Sequence, residues 1–267
     1  MHIELLGGLG DCLNRLYSID WMPKLLEVPA GEMVDVTIIS HNPFVDELFK
    51  WHPKRSQLNI RKIKFHYPWD DKEWRKKNDL PDSPQLDYAP QDRIEYFPPL
   101  HEYPLIDKLS EKKFLIFVIS AGTQERHIPE FTRERMATWA ISMGYQIYVI
   151  GRRYQHFEEF GASPRHVEDF MEPRDGVRHL IDGLTLPGTA KLMERCAGVV
   201  TTHTSMCLLS WFLKKPTFLL YGDHVRDVLL PLGNVGYMAG NGRPGNDSMH
   251  FNEFNELRFT TWLKERG

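Results

Sequence analysis

The sequence predicts an α/β chain of two Rossmann-like lobes facing a central cleft. Strand-like apolar runs alternate with helical periodicities, first over about 60 residues and again after residue 112, which implies parallel sheets joined by right-handed crossovers. The stretch 67–109 interrupts the alternation with proline, charge and aromatics, as a linker does. The expected division is a first lobe over 1–108, a second over 109–253, and a helix over 254–267 packing back toward the first lobe.

In the first lobe "HIELL" (2–6) is a short apolar strand. Leu13, Leu16, Tyr17, Ile19, Leu25 and Leu26 then recur at helical spacing, predicting a helix from Asp11 to about Leu26. "VDVTIIS" (34–40) is a strand. "NPFVDELFKW" (42–51) places Phe44, Val45, Leu48 and Phe49 on one helical face, with Asn42 as cap and Pro43 in the first turn. "LNIRKIKF" (58–65) alternates apolar and polar residues like a half-exposed strand. Within 67–109 one short helix is expected around Trp69–Lys77; the other reading of this stretch is an acceptor-binding loop rich in Trp, Tyr and Arg.

In the second lobe "KFLIFVIS" (113–120) is nearly continuous apolar text, typical of a strand buried on both faces. "FTRERMATWAISMG" (131–144) reads as a helix capped by Thr132 and stopped by Gly144, with Met136, Trp139, Ala140 and Met143 facing inward. "YQIYVIG" (145–151) is a strand, and 182–186 is a short stretch before the helix 189–196, for which Thr189 is the candidate cap. The strand 197–202, the apolar helix 205–215 and the strand 216–222 follow.

Composition bounds the function. The 267 residues carry a net charge of −3, with 42% hydrophobic and 26% charged residues, so nothing draws the whole chain toward nucleic acid or an anionic membrane. No apolar run approaches ~18 residues, and "MHIELLGG" starts directly as a strand without a basic n-region, which predicts neither a membrane span nor a signal peptide. Cys12, Cys196 and Cys207 form no C-x-x-C pair. They read as reduced, buried thiols of a cytoplasmic protein, and a zinc site from them is not expected.

Ligands of open parallel sheets sit beyond the carboxyl ends of the strands, so the loops there carry the functional reading. "GGLGD" (7–11) is neither G-x-G-x-x-G nor a P-loop, since no Gly-Lys-Ser/Thr follows. Asp11 is either a capping acid favoured by the helix dipole or an ionised base held beside a substrate. Gly8 and Gly10 let a ligand approach the backbone, and Asn14 and Arg15 on the following helix are candidates to contact an acceptor. "SAGTQERHIPEF" (120–131) offers Ser120, Thr123, Gln124, Arg126 and His127 as donors to anionic oxygens, or is a solvated loop. "IGRR" (150–153) is either a surface turn or a contact through Gly151 and Arg152 or Arg153 to a phosphate or a base. "VVTTHTSM" places Thr201, Thr202, His203, Thr204 and Ser205 between a buried strand and an apolar helix. That is a suitable diphosphate seat, although one or two of these hydroxyls would serve a cap alone.

The strand–"GGLGD"–helix opening, the "SAGT" loop followed by "WAISMGYQIYVIG", and "LPGTAKLMERCAGVVTTHTSM" leading to "KPTFLLYG" together resemble the heptosyltransferase-like glycosyltransferases, glycosyltransferase family nine. The similarity spans most of the chain outside 67–109. It implies the two-lobed GT-B fold and transfer of a sugar, hexosyl or heptosyl, from a nucleotide-diphosphate sugar to an acceptor hydroxyl with inversion. The aspartate closing the family's glycine loop is the general base, and Asp11 stands there. The loop after the first strand of the second lobe holds the diphosphate, and Thr123, Gln124 and Arg126 fall in it. The family's late motif reads roughly Asp-Thr/Ser-Gly with a histidine a few positions on. Here His203, Thr204 and Ser205 stand in the motif and Leu208 stands where the histidine would fall, so both the aspartate and that histidine are absent. No Asp-x-Asp occurs, so transfer without a metal is expected and no cofactor beyond the donor. The expected partners are a nucleotide sugar and an acceptor that is a glycan, a small molecule or modified DNA. A GT-B-fold nucleotide-sugar epimerase and a catalytically inactive sugar-nucleotide-binding module are the alternatives.

Overall fold

His2–Leu6 (β1), Val34–Ile39 (β2) and Leu58–Ile63 (β3) form a parallel three-stranded sheet in the order β1-β2-β3. Glu4 lies beside Thr37 and Thr37 beside Arg61, so the strands run in one register. Parallel strands need crossover connections. The first crossover holds Leu9–Ser18 (α1) and Trp21–Leu26 (α2), and the second a 3₁₀ helix, Val45–Phe49. The computed structural model describes residues 1–18, 21–40, 42, 45–50, 52–66, 68, 70–82, 106, 109, 113–119, 127–155, 165–166, 171–221, 236–238 and 256–266.

The two faces of this sheet differ because side chains alternate along a strand. Ile3, Leu5, Val36 and Ile38 are buried on one face, and α1 brings Cys12, Leu13 and Leu16 into the same core. The opposite face is polar along most of its length. His2 Nε2 meets Thr37 Oγ1 at 3.0 Å, and Asn59 Nδ2 donates to Asp35 Oδ1 at 2.9 Å. Only its carboxyl end is apolar: Leu6 and Ile39 cluster with Phe65 and Leu80, with Ile63 and Trp74 against them. Trp74 belongs to Lys72–Lys77 (α3), the short helix expected inside 67–109. Asp71 caps α3 by accepting from the backbone N–H groups of Glu73 and Trp74, both at 3.0 Å.

Two expectations for this unit are corrected. The helix predicted from Asp11 to about Leu26 starts at Leu9, ahead of the aspartate; it is described over Leu9–Ser18 and Trp21–Leu26, and residues 19–20 between them lie outside the described residues. Within the 42–51 segment Val45–Phe49 is a short 3₁₀ helix and not part of an α-helix; Asn42 accepts from the Val45 N–H at 3.3 Å, Val45, Leu48 and Phe49 are buried as the apolar pattern required, and Pro43, Phe44 and Trp51 lie outside the described residues.

The second unit is a six-stranded sheet. Phe114–Val118 (β4), Glu130–Ser142 (α4), Gln146–Val149 (β5), Val177–His179 (β8), Leu186–Arg195 (α5), Gly198–Thr202 (β9), Ser205–Phe212 (α6), Thr217–Tyr221 (β10) and Gly236–Met238 (β11) supply its strands and crossovers. Between β5 and β8 lies a two-stranded antiparallel pair, Tyr154–Gln155 (β6) with Arg165–His166 (β7). The spatial order is β11-β10-β9-β4-β5-β8, and every pairing within it is parallel. One face carries Leu115, Phe117, Ile147, Val149, Val200, Phe218 and Leu220 under Met136, Ala137 and Ala140 of α4. The C-terminal helix, Glu256–Lys264 (α7), packs against α4 and adds Phe259, Trp262 and Leu263 to that core. Tyr145 Oη donates to the Leu263 carbonyl at 3.1 Å. On the other face α6 packs on β9 and β10, where Ser210 Oγ meets Thr217 Oγ1 at 2.8 Å.

Here too the structure corrects local assignments. Thr132 is buried in the body of α4, and Pro129 occupies the N-cap position, its fixed φ suiting a helix start where no N–H is needed. Trp139 is 40% exposed rather than inward-facing. Gly144 does end the helix region, at φ 84°, a conformation costly for other residues. Helix α5 starts at Leu186, and its cap is Thr185, whose hydroxyl accepts from the Gly188 N–H at 3.2 Å. Thr189 lies one turn inside, donating to the Thr185 carbonyl. The strand of this region is Val177–His179, upstream of 182–186. The three thiols are free and buried. Burial pushes Cys196 and Cys207 up to about 12; burial first, then the nearby Asp11 charge, pushes Cys12 up further.

Candidate functional site

The first candidate loop closes on itself. Gly7 leaves β1 at φ 96°; its N–H donates to the Ile39 carbonyl at 3.0 Å, and its carbonyl accepts from Ser40 Oγ at 2.5 Å. A Cβ at Gly7 would lie 2.8 Å from Asp11 Oδ2, so the turn needs glycine for space as well as for conformation. Gly8 then stands at the N-cap of α1, Gly10 at the second helical position and Asp11 at the third. Asp11 Oδ2 accepts from the Gly8 N–H at 2.9 Å, the carboxylate half of a capping box. The acid is exposed at a helix N-terminus, where the dipole favours its ionised form. The capping reading and the base reading are thus compatible: one oxygen is tied to the loop, and the side chain remains accessible. Asn14 and Arg15 are 9% and 2% exposed on the same helix.

In the second unit the sheet order defines a crevice. From β4 the chain moves through α4 to β5 on one side; from β8 it returns through α5 to β9 on the other side of β4. The order reverses between β4 and β9, and open α/β sheets bind ligands outside the carboxyl ends of strands at such a point. Two loops border it. Just past β4 the Ile128 N–H donates to the Ile119 carbonyl at 3.0 Å. Thr123, Gln124 and Arg126, assigned to the diphosphate from sequence, lie outside the described residues, as does Ser120. The turn after β9 is ordered by its own hydroxyls. Thr201 Oγ1 donates to the Thr202 carbonyl at 2.9 Å and meets Thr204 Oγ1 at 3.3 Å; Thr204 caps α6 by accepting from the Met206 N–H at 3.2 Å. Ser205 opens the helix, and His203, partly buried, immediately precedes the cap. Thr202 is fully buried, and among the described residues its hydroxyl has no hydrogen-bond partner.

Gly151 and Arg152 follow β5, next to β4 in the sheet. Arg152 Nη1 donates to the Asp182 carbonyl at 3.3 Å and Nη2 to the Leu184 carbonyl at 2.6 Å. In the structure this arginine therefore ties its loop to the one after β8. Sequence reasoning missed Asp182, which sits at φ 56° in that second loop; the Asp-Gly pair at 182–183 was the turn signal for it. It also missed Thr185 and Ser40, because caps and loop clamps are set by backbone direction rather than by a motif. Among the described residues no group of three or more His, Cys, Asp or Glu side chains could hold a metal ion, and no helix is long and apolar enough to cross a membrane.

Two parallel α/β units, each with glycine- or hydroxyl-lined loops at the carboxyl ends of its strands, define a class of architecture and not a reaction. No protein-family model and no curated protein matches the sequence. Solved structures do match the fold. E. coli ADP-heptose lps heptosyltransferase II is similar at a TM-score of 0.63 and 15% identity, covering 99% of this chain and 98% of that one. A glycosyl transferase family 9 protein from Veillonella parvula also gives a TM-score of 0.63, at 12% identity, with 99% and 97% covered. E. coli heptosyltransferase WaaC, solved with ADP-2-deoxy-2-fluoro heptose, gives 0.58 at 15% identity, with 100% and 99% covered. The chain therefore has the heptosyltransferase-like GT-B fold over essentially its whole length.

Proposed function

We propose that this chain is a glycosyltransferase that moves a hexosyl or heptosyl group from a nucleotide-diphosphate sugar to an acceptor hydroxyl, with inversion and without a metal ion. The observation that carries this reading is the reversal of strand order between β4 and β9, bordered by the Thr201–Ser205 turn and the start of α6. Two of the structural neighbours are named as heptosyltransferases, and one of them was solved with a fluorinated ADP-heptose, which supports a nucleotide-sugar donor.

In this reading the second unit holds the donor. His203, Thr204, Ser205 and the α6 N-terminus take the diphosphate, together with Thr123, Gln124 and Arg126, and Gly151 lets the nucleoside approach the β5 loop. Gly8 and Gly10 present backbone to the sugar, and Asn14 and Arg15, nearly buried on α1, hold from behind the loop that seats the acceptor. The acceptor oxygen attacks the anomeric carbon as the bond to the diphosphate oxygen breaks. Asp11 takes the hydroxyl proton, and the leaving diphosphate carries away the negative charge, stabilised by N–H dipoles and cations. The glycan, small molecule or modified DNA that supplies the hydroxyl is to be found by assay.

A second reading, a sugar-nucleotide-binding module without turnover, is favoured by His203 and Leu208 standing where the resembling family has an aspartate and a histidine. The test is calorimetric titration with a panel of nucleoside diphosphates and nucleotide sugars, followed by donor turnover in wild type and Asp11→Asn. Asparagine still accepts from the Gly8 N–H, so the loop survives. Nucleotide affinity should stay within a few-fold, and turnover should fall by about 10²–10⁴, the range for a lost general base. Undiminished turnover removes Asp11 from the mechanism; binding without turnover in wild type selects the second reading.

A further inference from the structure

Arg152 and Asp182 join two loops that the sequence separates by thirty positions. Besides the two carbonyl contacts of Arg152, the Asp182 N–H donates to the Gly151 carbonyl at 3.0 Å, and Asp182 Oδ1 accepts from the Arg153 N–H at 3.1 Å. Arg153 Nε lies 3.7 Å from Asp182 Oδ2. Asp182 adopts the left-handed conformation, open mainly to Gly, Asn and Asp, which turns its carboxylate and its carbonyl toward the β5 loop at once. Leu184, whose carbonyl Arg152 holds, directly precedes Thr185, the cap of α5. One side chain thus fixes both the exit of β5 and the entry to a helix of ten residues.

The arrangement also decides what this corner of the sheet can bind. Two adjacent arginines at a strand end would by themselves suit a phosphate. Here their donors are turned onto carbonyls and onto the Asp182 carboxylate, which offsets the local positive charge. We propose that Arg152 is a positioning residue and not a phosphate ligand: with Asp182 it latches the β5 and β8 loops into one rigid wall against which the nucleoside end of the donor lies, while the diphosphate lies at the β9–α6 turn. This rests on the nucleotide-sugar reading above.

The experiment compares ADP, UDP and GDP with inorganic pyrophosphate as ligands, by calorimetry, on wild type, Arg152→Met, Arg152→Lys and Asp182→Asn, with melting temperatures recorded for each. Arg152→Met should weaken the preferred nucleoside diphosphate by about ten- to a hundredfold while pyrophosphate stays within about twofold. Lysine cannot span two carbonyls with a planar fork, so Arg152→Lys should recover only part of the loss. Asparagine keeps the left-handed conformation and an acceptor oxygen but loses the charge set against the arginines, so Asp182→Asn should weaken the nucleoside diphosphate less than Arg152→Met does, and a larger loss than in Arg152→Met would overturn Arg152 as the latching side chain. Equal loss of pyrophosphate and nucleoside diphosphate assigns Arg152 to the phosphates and overturns the latch. Unchanged nucleoside diphosphate binding in Arg152→Met overturns it as well; if that variant does not fold, wild-type affinity in Arg152→Lys does the same. Wild type that binds none of the nucleotides sinks the nucleotide-sugar reading itself, and the latch with it, whereas a failed latch leaves wild-type binding intact.

Discussion

Arg75 of α3 reaches across the polar face of the first sheet to Glu4 of β1, where its Nη2 lies 3.1 Å from Oε1 and 2.9 Å from Oε2. The two side chains are 0% and 2% exposed, and the arginine's Nε also donates to the Pro81 carbonyl. A charge buried this deeply is tolerated only while its partner is present. Glu4→Gln or Arg75→Met should each destabilise the protein by about 3–5 kcal/mol, because each leaves the other charge unpaired in the interior. The double replacement Glu4→Leu with Arg75→Met should recover most of that loss. Urea denaturation of the four proteins measures it; single variants as stable as wild type would mean that the pair is open to water in solution.

This pair also shows what a sequence can and cannot disclose. The residues lie 71 positions apart, and Arg75 sits in a charged stretch whose composition reads as linker. Alternating apolar text identified the strands β1, β2, β3, β4, β5, β9 and β10, because burial on one or both faces leaves a periodic record. It did not disclose Thr185 as a cap in place of Thr189, since both are threonines near a helix start and only the chain direction distinguishes them. Nor did it reveal the 3₁₀ helix after Asn42, whose buried residues Val45, Leu48 and Phe49 satisfy helical spacing equally well. For the candidate site, "GGLGD" and "TTHTS" do fall at the carboxyl ends of β1 and β9, as the alternation of elements required. The turning of Arg152 onto Asp182 and Leu184 was not legible, because a donor's partner is chosen by tertiary geometry.

Gly198 begins β9 under the ring of Trp262. A Cβ built there would stand 2.8 Å from Cη2 and 2.9 Å from Cζ2 of the indole, and 3.2 Å from the Pro216 carbonyl oxygen. Trp262 is fully buried between Phe218 and Phe259, so its ring cannot swing aside into solvent. Gly198→Ala should therefore cost about 1–3 kcal/mol through overpacking. It should also loosen α7, seen as faster amide exchange in Phe259–Leu263. Gly198→Ala with Trp262→Phe should regain part of the stability; no regain would place the strain on the Pro216 backbone instead.

Asp71 gives α3 a pH dependence. Its carboxyl titrates below the ordinary carboxylate value, chiefly because it accepts from the Trp74 N–H, with His66 and the Glu73 N–H adding to this. A depressed folded-state value means that the stabilisation is fully present above the unfolded value of about 3.9 and disappears as pH falls through the folded one. Protection of the Glu73 and Trp74 amides, corrected for intrinsic exchange, should drop over that acid window in wild type. In Asp71→Ala it should be low throughout and flat with pH. His66 stacks on Trp74 with ring centroids 5.0 Å apart and touches Asp71 at 3.3 Å, so His66→Ala should narrow the window without removing it.

His203 precedes the cap of α6 at the position where the resembling family carries an acid. An acid there would repel a diphosphate, whereas an imidazolium attracts one. The helix N-terminus by itself disfavours a cation. A bound diphosphate reverses that balance and favours the protonated ring, so binding draws in a proton. Nucleoside diphosphate affinity should then strengthen as pH falls through the region near 6.5, about the ordinary histidine value. The second ionisation of the diphosphate overlaps this window and has the opposite effect, because the less charged ligand binds more weakly. The comparison that isolates the residue is His203→Gln over the same pH range, since glutamine keeps a donor but cannot take up a proton. The wild type should show the steeper gain toward acid, and the variant should bind about as well as wild type above pH 8 if its amide keeps the hydrogen bond. Calorimetry in two buffers of different ionisation enthalpy counts the protons directly. Identical slopes and equal proton uptake in the two proteins would remove His203 from the diphosphate and leave Thr204, Ser205 and the α6 N–H groups to hold it.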